Sequence, residues 1–278
     1  MRMISVGALN LHIEEVGPTD GPLVILLHGF PETSRAWRKV MQPLADKGLR
    51  VVAPDLRGYG KSDVPVGRDA YALDTLAADV VGLADALGAP TFALVGHDWG
   101  GIVAWAVAAR YPERLSQLII LNAPHTDTVK AEMRAHPAQI LRSLYVGFFQ
   151  IPRLPEALLG AFRYRALRRS LTRTSRPLAF DAGDLDAYVE SWSRPGGLTA
   201  MLNYYRALRV PRAPLGRIRV PTLILWGMKD GFLGAHLADA AAAMCDDARI
   251  SRFNEATHWI QHEEPRQVAT KIAAFIQG

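Results

Sequence analysis

The stretch Gly96-His97-Asp98-Trp99-Gly100-Gly101 limits the folds open to this chain more than any other, because of what flanks it. An apolar run at 91–95 leads in, and an unusually apolar stretch at 102–109 leads out, so the reading is strand, sharp turn, buried helix. Gly96 and Gly100 sit two positions either side of Asp98. Small residues there let the backbone turn so tightly that the central side chain is held up in a strained, accessible conformation. That is a nucleophile elbow with aspartate at its tip. The same residues also fit an ordinary strand-to-helix turn in which Asp98 only caps the helix, so the rest of the chain has to decide.

Around this point strand and helix patterns alternate. Residues 2–6 and 10–16 read as two short strands joined by Gly7-Ala8-Leu9, a hairpin at a sheet edge. Leu23-Val24-Ile25-Leu26-Leu27 is a continuous apolar run, expected of a parallel strand covered on both faces. Thr33 or Ser34 can cap a helix running to about Lys47, which Gly48 stops. Strands follow at 49–53, 91–95, 115–121, 221–227 and 248–253, with helices at 74–87, 235–244 and 265–276. Gly60-Lys61-Ser62 falls short of a phosphate loop, whose first glycine would stand where this chain has Asp55. Alternation of this kind predicts an α/β fold, a mostly parallel twisted sheet with helices on both faces.

The alternation stops after Asn122-Ala123-Pro124-His125 and resumes near Pro214. The stretch between is helical in pattern, punctuated by prolines, and without a strand-like run. It reads as an inserted helical lid, giving a core at 1–123, a lid at 124–215 and the rest of the core at 216–278. Net charge divides the same way: residues 123–217 hold 14 Arg and one Lys against seven acids, a net of +8, within a chain whose total is +5. Arg163, Arg165, Arg168, Arg169, Arg173 and Arg176 read as one solvated helical side, and no nucleic-acid partner is expected. A single cysteine, Cys245, excludes an internal disulfide and a cysteine-built metal site. No apolar run is long enough to span a membrane, and the first residues lack a signal-peptide pattern, so the expected location is cytoplasmic.

In an open parallel sheet, ligands bind beyond the carboxyl ends of the strands. Phe30, Asp98, Asp230 and His258 all fall at such ends. Singly, Asp230 reads as a turn residue, His258 as a core or surface histidine and Phe30 as packing. Together they give the chain order nucleophile, acid, histidine.

On His28-Gly29-Phe30-Pro31-Glu32, the loop Asp55-Leu56-Arg57-Gly58-Tyr59-Gly60-Lys61-Ser62, the elbow, Lys229-Asp230 and Thr257-His258-Trp259, the chain resembles the epoxide hydrolase branch of the α/β-hydrolase fold over nearly its whole length. The resemblance implies Asp98 as nucleophile, His258 as general base and Asp230 as the acid orienting it. The backbone N–H groups of Phe30 and Trp99 would form the oxyanion hole. It also implies two lid tyrosines that hold the epoxide oxygen. Tyr145, five residues before Gln150, and Tyr205 match those contexts, with Tyr204 and Tyr164 as residues that could be confused with them. Trp99, Phe30, Phe148, Phe149 and Trp192 are expected to line an apolar substrate pocket. No cofactor and no metal are implied; the expected partners are a small epoxide and water, with no membrane insertion and a monomer or homodimer.

Four rivals frame these expectations. A haloalkane dehalogenase would share the aspartate, the histidine and Trp99, but needs a second N–H donor for the leaving halide, which a lid tryptophan such as Trp192 could supply. Esterases and lipases want serine at position 98, and a fluoroacetate dehalogenase wants arginine at 99. A binding protein that kept the fold without turnover would be expected to have lost part of the triad or of the oxyanion loop.

Overall fold

The computed structural model describes residues 1–278. The chain opens with β1 (Arg2–Val6), β2 (Leu9–Val16) and β3 (Leu23–Leu27), then α1 (Arg38–Ala45), β4 (Arg50–Pro54), α2 (Leu73–Ala86), β5 (Phe92–His97), α3 (Trp99–Arg110) and β6 (Leu115–Leu121). The helix expected from residue 34 is split: Ser34–Trp37 form a tight 3₁₀ turn, with the Thr33 side chain accepting from Arg35 N, and only then does α1 begin. Six helices follow without a strand: α4 (Val129–Ala135), α5 (Ala138–Arg142), α6 (Leu144–Phe148), α7 (Leu154–Thr174), α8 (Ala182–Trp192) and α9 (Gly197–Arg206). Alternation returns with β7 (Thr222–Gly227), α10 (His236–Ala242), β8 (Ala248–Phe253), α11 (Ile260–Glu263) and α12 (Pro265–Gln277). No helix is long and apolar enough to cross a membrane.

The strands form one sheet in the order β1-β2-β4-β3-β5-β6-β7-β8. The β1–β2 hairpin pairs antiparallel at one edge, β2 pairs antiparallel with β4, and all remaining pairs are parallel. The continuous apolar run of β3 has the expected cause. Leu23, Ile25 and Leu27 pack into the core on one face of the sheet, Val24 and Leu26 into the core on the other, and all five are buried. Strand β5 behaves alike, with Phe92 and Leu94 on the first face and Ala93 and Val95 on the second. A central strand with no wet face gives the elbow at its end a rigid base.

The inserted helices sit on loops at the carboxyl ends of the strands. Ser191 Oγ accepts from Gly60 N at 2.8 Å, the Trp192 indole donates to Pro31 O at 2.6 Å, and the Tyr204 hydroxyl donates to Arg57 O at 2.9 Å. Arg38 of α1 donates to the buried Asp184 of α8 at 2.6 Å. The arginine-rich segment departs from the single helical side read from sequence. α7 is interrupted at Ala161–Tyr164, where Phe162, Arg163 and Tyr164 take positive φ of 51°, 55° and 59°. Arg163 therefore lies in the break, and the six arginines share no one helical face. All are exposed or half-exposed, with Arg168 paired to Asp186 and Arg176 to Glu264.

Candidate active site

Asp98 links β5 to α3 with φ 50° and ψ −118°, a conformation that side chains other than glycine rarely adopt. The neighbouring glycines make it possible. A Cβ on Gly96 would lie 2.3 Å from Gly100 O, and one on Gly100 would lie 2.3 Å from Leu27 O. Gly29 serves Asp98 from the opposite side, since a Cβ there would lie 2.5 Å from Asp98 Cβ. The carboxylate thus rises between two loops, largely buried but still 15% exposed. Its Oδ1 accepts the Phe30 N–H at 2.8 Å. The Trp99 N–H, first in α3, is one of the amides that a helix cannot pair internally.

His258 approaches from the loop after β8. Its Nε2 faces Asp98 Oδ2 at 3.6 Å and its Nδ1 lies 2.7 Å from Asp230 Oδ2. Asp230, at the end of β7, is buried and fully engaged. Its Oδ1 accepts the N–H groups of Phe232 and Leu233 at 2.7 and 2.9 Å, and its Oδ2 also accepts Asn122 Nδ2 at 2.7 Å. Burial raises the Asp230 pKa, but the His258 imidazole and these N–H groups outweigh it and hold the carboxyl below its ordinary value. Burial likewise disfavours a charged His258, yet Asp230 and then Asp98 carry its pKa above 6.5.

Behind His258 lies a buried polar cluster. His97 Nε2 lies 2.9 Å from the His258 carbonyl, and the two rings are 4.7 Å apart. His97 Nδ1 faces Glu32 Oε2 at 3.2 Å, and Glu32 Oε1 meets His262 Nε2 at 2.5 Å and the Tyr188 hydroxyl at 3.3 Å. Gln261 Nε2 donates to Glu32 Oε2 at 3.1 Å. Glu32 is wholly buried, which alone would raise its pKa; the two imidazoles drive it well below the ordinary carboxyl range instead.

A cavity of about 730 Å³ opens over Asp98, its wall formed by Trp99, Tyr145, Tyr205, Val129, Met133 and Ile140 among others. The Tyr145 and Tyr205 rings meet edge to face, 5.8 Å between centroids. Burial raises both phenol pKa values, and the Asp98 charge raises them further, so both hydroxyls keep their protons. Tyr204 points elsewhere, its hydroxyl committed to Arg57 O, and Tyr164 donates to Trp192 O at 3.1 Å. Of the side chains expected to line the pocket, Trp99 does so. Phe30 and Phe149 stand behind the wall, packed on Tyr205 with centroids 5.3 and 5.0 Å away, and Phe148 packs on Phe149. Trp192 is a correction: it is 1% exposed and stacked on Tyr188, and its bond to Pro31 O turns it away from the cavity.

A family model described as the alpha/beta hydrolase fold matches residues 22–265. An AB hydrolase superfamily protein, YfhM, of Bacillus subtilis is 41% identical over 280 residues, spanning all of this chain and 98% of that protein. Mouse epoxide hydrolase 4 is 38% identical over 282 residues, spanning 99% of this chain and 78% of its own length. The chain belongs to the α/β-hydrolase fold family, in its epoxide hydrolase branch. Among solved structures, a Bacillus megaterium epoxide hydrolase in complex with an inhibitor superposes on this α/β-hydrolase with a TM-score of 0.89, at 30% identity and full coverage of both chains.

Several residues that order the site of this α/β-hydrolase escape a reading of the sequence. Asn122, at φ 41°, holds Asp230 with one end of its amide and accepts Gly227 N at 3.0 Å with the other. An asparagine directly after a buried strand, where a left-handed turn is tolerated, was its only signal. Gln150 donates to the backbone carbonyl of Tyr205 at 2.9 Å, so the turn after α6 grips α9 beside the tyrosine pair. Arg142 donates to Asp230 O at 3.1 Å, and Gln139 bonds both Phe232 O and Gly234 N, fastening α5 to the loop that carries Asp230.

Proposed function

We propose that this protein is an epoxide hydrolase that works through a covalent ester on Asp98. An Asp98 carboxylate oxygen attacks an epoxide carbon and the ring C–O bond breaks. Aspartate suits this step because it is already ionised at neutral pH and can attack a saturated carbon without first losing a proton. The departing oxygen takes a hydrogen bond, and then a proton, from Tyr145 or Tyr205. His258, oriented by Asp230, next removes a proton from a water that attacks the ester carbonyl. The N–H groups of Phe30 and Trp99 stabilise the charge on the carbonyl oxygen. Collapse of that intermediate frees the diol and restores the Asp98 carboxylate; the proton on His258 returns to the tyrosinate. In this reading residues 124–215 form the cap that brings the tyrosines over the nucleophile, and water is the only co-substrate.

The observation that carries the proposal is the pair Tyr145 and Tyr205 on the wall of the cavity that holds Asp98. Two protonated phenols suit a developing alkoxide. The position of Trp192 weighs against a haloalkane dehalogenase, since its indole N–H is spent on Pro31 O and is not free to hold a leaving halide. The matches to epoxide hydrolases point the same way. The test is a parallel assay of purified protein on styrene oxide, a bromoalkane and an aryl ester. Diol formation from the epoxide as the dominant activity is expected; preference for the bromoalkane would overturn the reading.

A further inference from the structure

Glu132 lies on α4, whose Val129 and Met133 line the cavity, and His136, four residues on, directly follows the helix's last residue. Across from them is His236, the first residue of α10. His236 Nδ1 lies 2.7 Å from Glu132 Oε2, and His136 Nε2 lies 3.6 Å from the same oxygen. The two imidazoles stack, 3.8 Å between centroids and 28° between planes. One ligating atom from each of the three residues falls within 4.8 Å of the others. None of the three belongs to the candidate active site.

His236 Nδ1 is already within hydrogen-bond distance of Glu132 Oε2, so an ion at this point would replace that contact. One atom from each of the three side chains lies within 4.8 Å of the others, and a turn of the stacked rings would aim them at one ion. A tetrahedral ion with bonds of about 2.0–2.2 Å sets its ligands about 3.3–3.6 Å apart, and the present separations of 2.7 and 3.6 Å span that range. Two nitrogens and one oxygen suit zinc-like ions rather than calcium or magnesium, which prefer all-oxygen shells. The side chains of Glu132, His136 and His236 are 22%, 49% and 24% exposed, so an ion can enter and water can complete its shell.

We propose that Glu132, His136 and His236 form a binding site for a divalent transition metal, of which zinc is the type, that ties α4 to α10. The tie has a direction in the fold. Its α10 ligand lies six residues beyond Asp230, and the same side of the inserted helices already grips that loop through Gln139 and Arg142. Metal at this point fixes the α4 wall of the cavity against the element that follows the candidate catalytic acid.

The test uses tag-free, chelator-washed full-length protein titrated with zinc chloride by calorimetry, with cobalt(II) as a visible-absorption probe of imidazole ligation. One saturable equivalent per chain is expected, with a higher melting temperature and slower hydrogen exchange in α4. His136→Ala and His236→Gln should each weaken binding by more than the roughly 10–100-fold that loss of an outer-shell partner costs, and should abolish the change in α4 exchange. Melting without metal verifies that both variants fold, and Glu132→Gln offers a third variant that keeps a hydrogen-bonding side chain opposite His236. Absence of saturable binding up to about 100 μM zinc, the range of a weak specific site, overturns the proposal. Equal affinity in the wild type and the histidine variants overturns it as well, since the ion would then sit elsewhere, such as at His258 and Asp98.

Discussion

His258 Nε2 stands 3.6 Å from Asp98 Oδ2, too far for a hydrogen bond but close enough for each charge to govern the other. Burial opposes an imidazolium, and the carboxylates of Asp230 and Asp98 together override it. Esterification of Asp98 would erase one of those two negative charges. The histidine pKa must then fall, so covalent capture of substrate itself turns a proton-holding imidazole into a base. On the proposed mechanism the two chemical steps are timed by this coupling.

Asp98→Ala should abolish turnover and leave the protein folded, because the side chain is partly open and its removal frees one hydrogen-bond donor, the Phe30 N–H, and one charge partner of His258. Single turnover in heavy-oxygen water distinguishes the mechanism further. Label should enter the peptide that contains Asp98; label found only in the diol would exclude the ester.

His258→Gln should capture substrate and fail to release it, so that the intact protein gains the mass of the epoxide. In the wild type, breakdown of the ester needs neutral His258, and its single-turnover rate should rise with pH to a plateau. The sign for stability is opposite. A folded pKa raised above 6.5 means that the protonated form stabilises the fold below that pH, and the gain is lost as pH climbs through the folded value. Denaturation across the neutral-to-alkaline range, with wild type and variant compared, reads that loss.

Tyr145→Phe and Tyr205→Phe should each slow ring opening by about 10²–10³, the scale for loss of one oxyanion donor of two, and the double variant should nearly silence it. Tyr204→Phe is the internal control. Its hydroxyl bonds Arg57 O, so the change should cost about 1 kcal/mol of stability and leave the alkylation rate near wild type. Stopped-flow tryptophan fluorescence or rapid-quench diol analysis would measure all four variants.

Glu32→Gln should destabilise the fold by about 1–3 kcal/mol near neutral pH, since His97, His262 and Gln261 all lean on one buried carboxylate. The Glu32 carboxyl is depressed from its ordinary 4.5, so its contribution is present above that pH and drains away as pH falls. The gap between wild type and variant should therefore narrow in acid, as chemical denaturation at neutral and acid pH would reveal.

The sheet was legible because its central strands are buried on both faces, and continuous apolar runs such as Leu23–Leu27 admit few other readings. The elbow was legible because its glycines answer to contacts as tight as 2.3 Å, which no other residue could meet. Trp192 was misread for a physical reason. An indole serves equally as a wall or as a hydrogen-bonded peg, and only the position of Pro31 O, 161 residues earlier, separates the two. Glu32 and His262 meet across 230 residues, and nothing in their spacing announces a shared carboxylate. The break in α7 had no marker beyond Gly160, and Glu132, His136 and His236 come together only through the packing of α4 on α10.

Gln150 holds Tyr205 by its backbone, while Val129, Met133 and Ile140 form another part of the cavity wall. The two parts of the wall are thus held by different contacts, one through Gln150 and the other through Gln139 and Arg142 to the Asp230 loop. Substitutions along α4 and α5 redraw the outline that a guest must fit, whereas the paired phenols stay anchored to each other's helices. On the proposed mechanism, substrate range can then shift through one part of the wall while the groups that carry the chemistry keep their contacts.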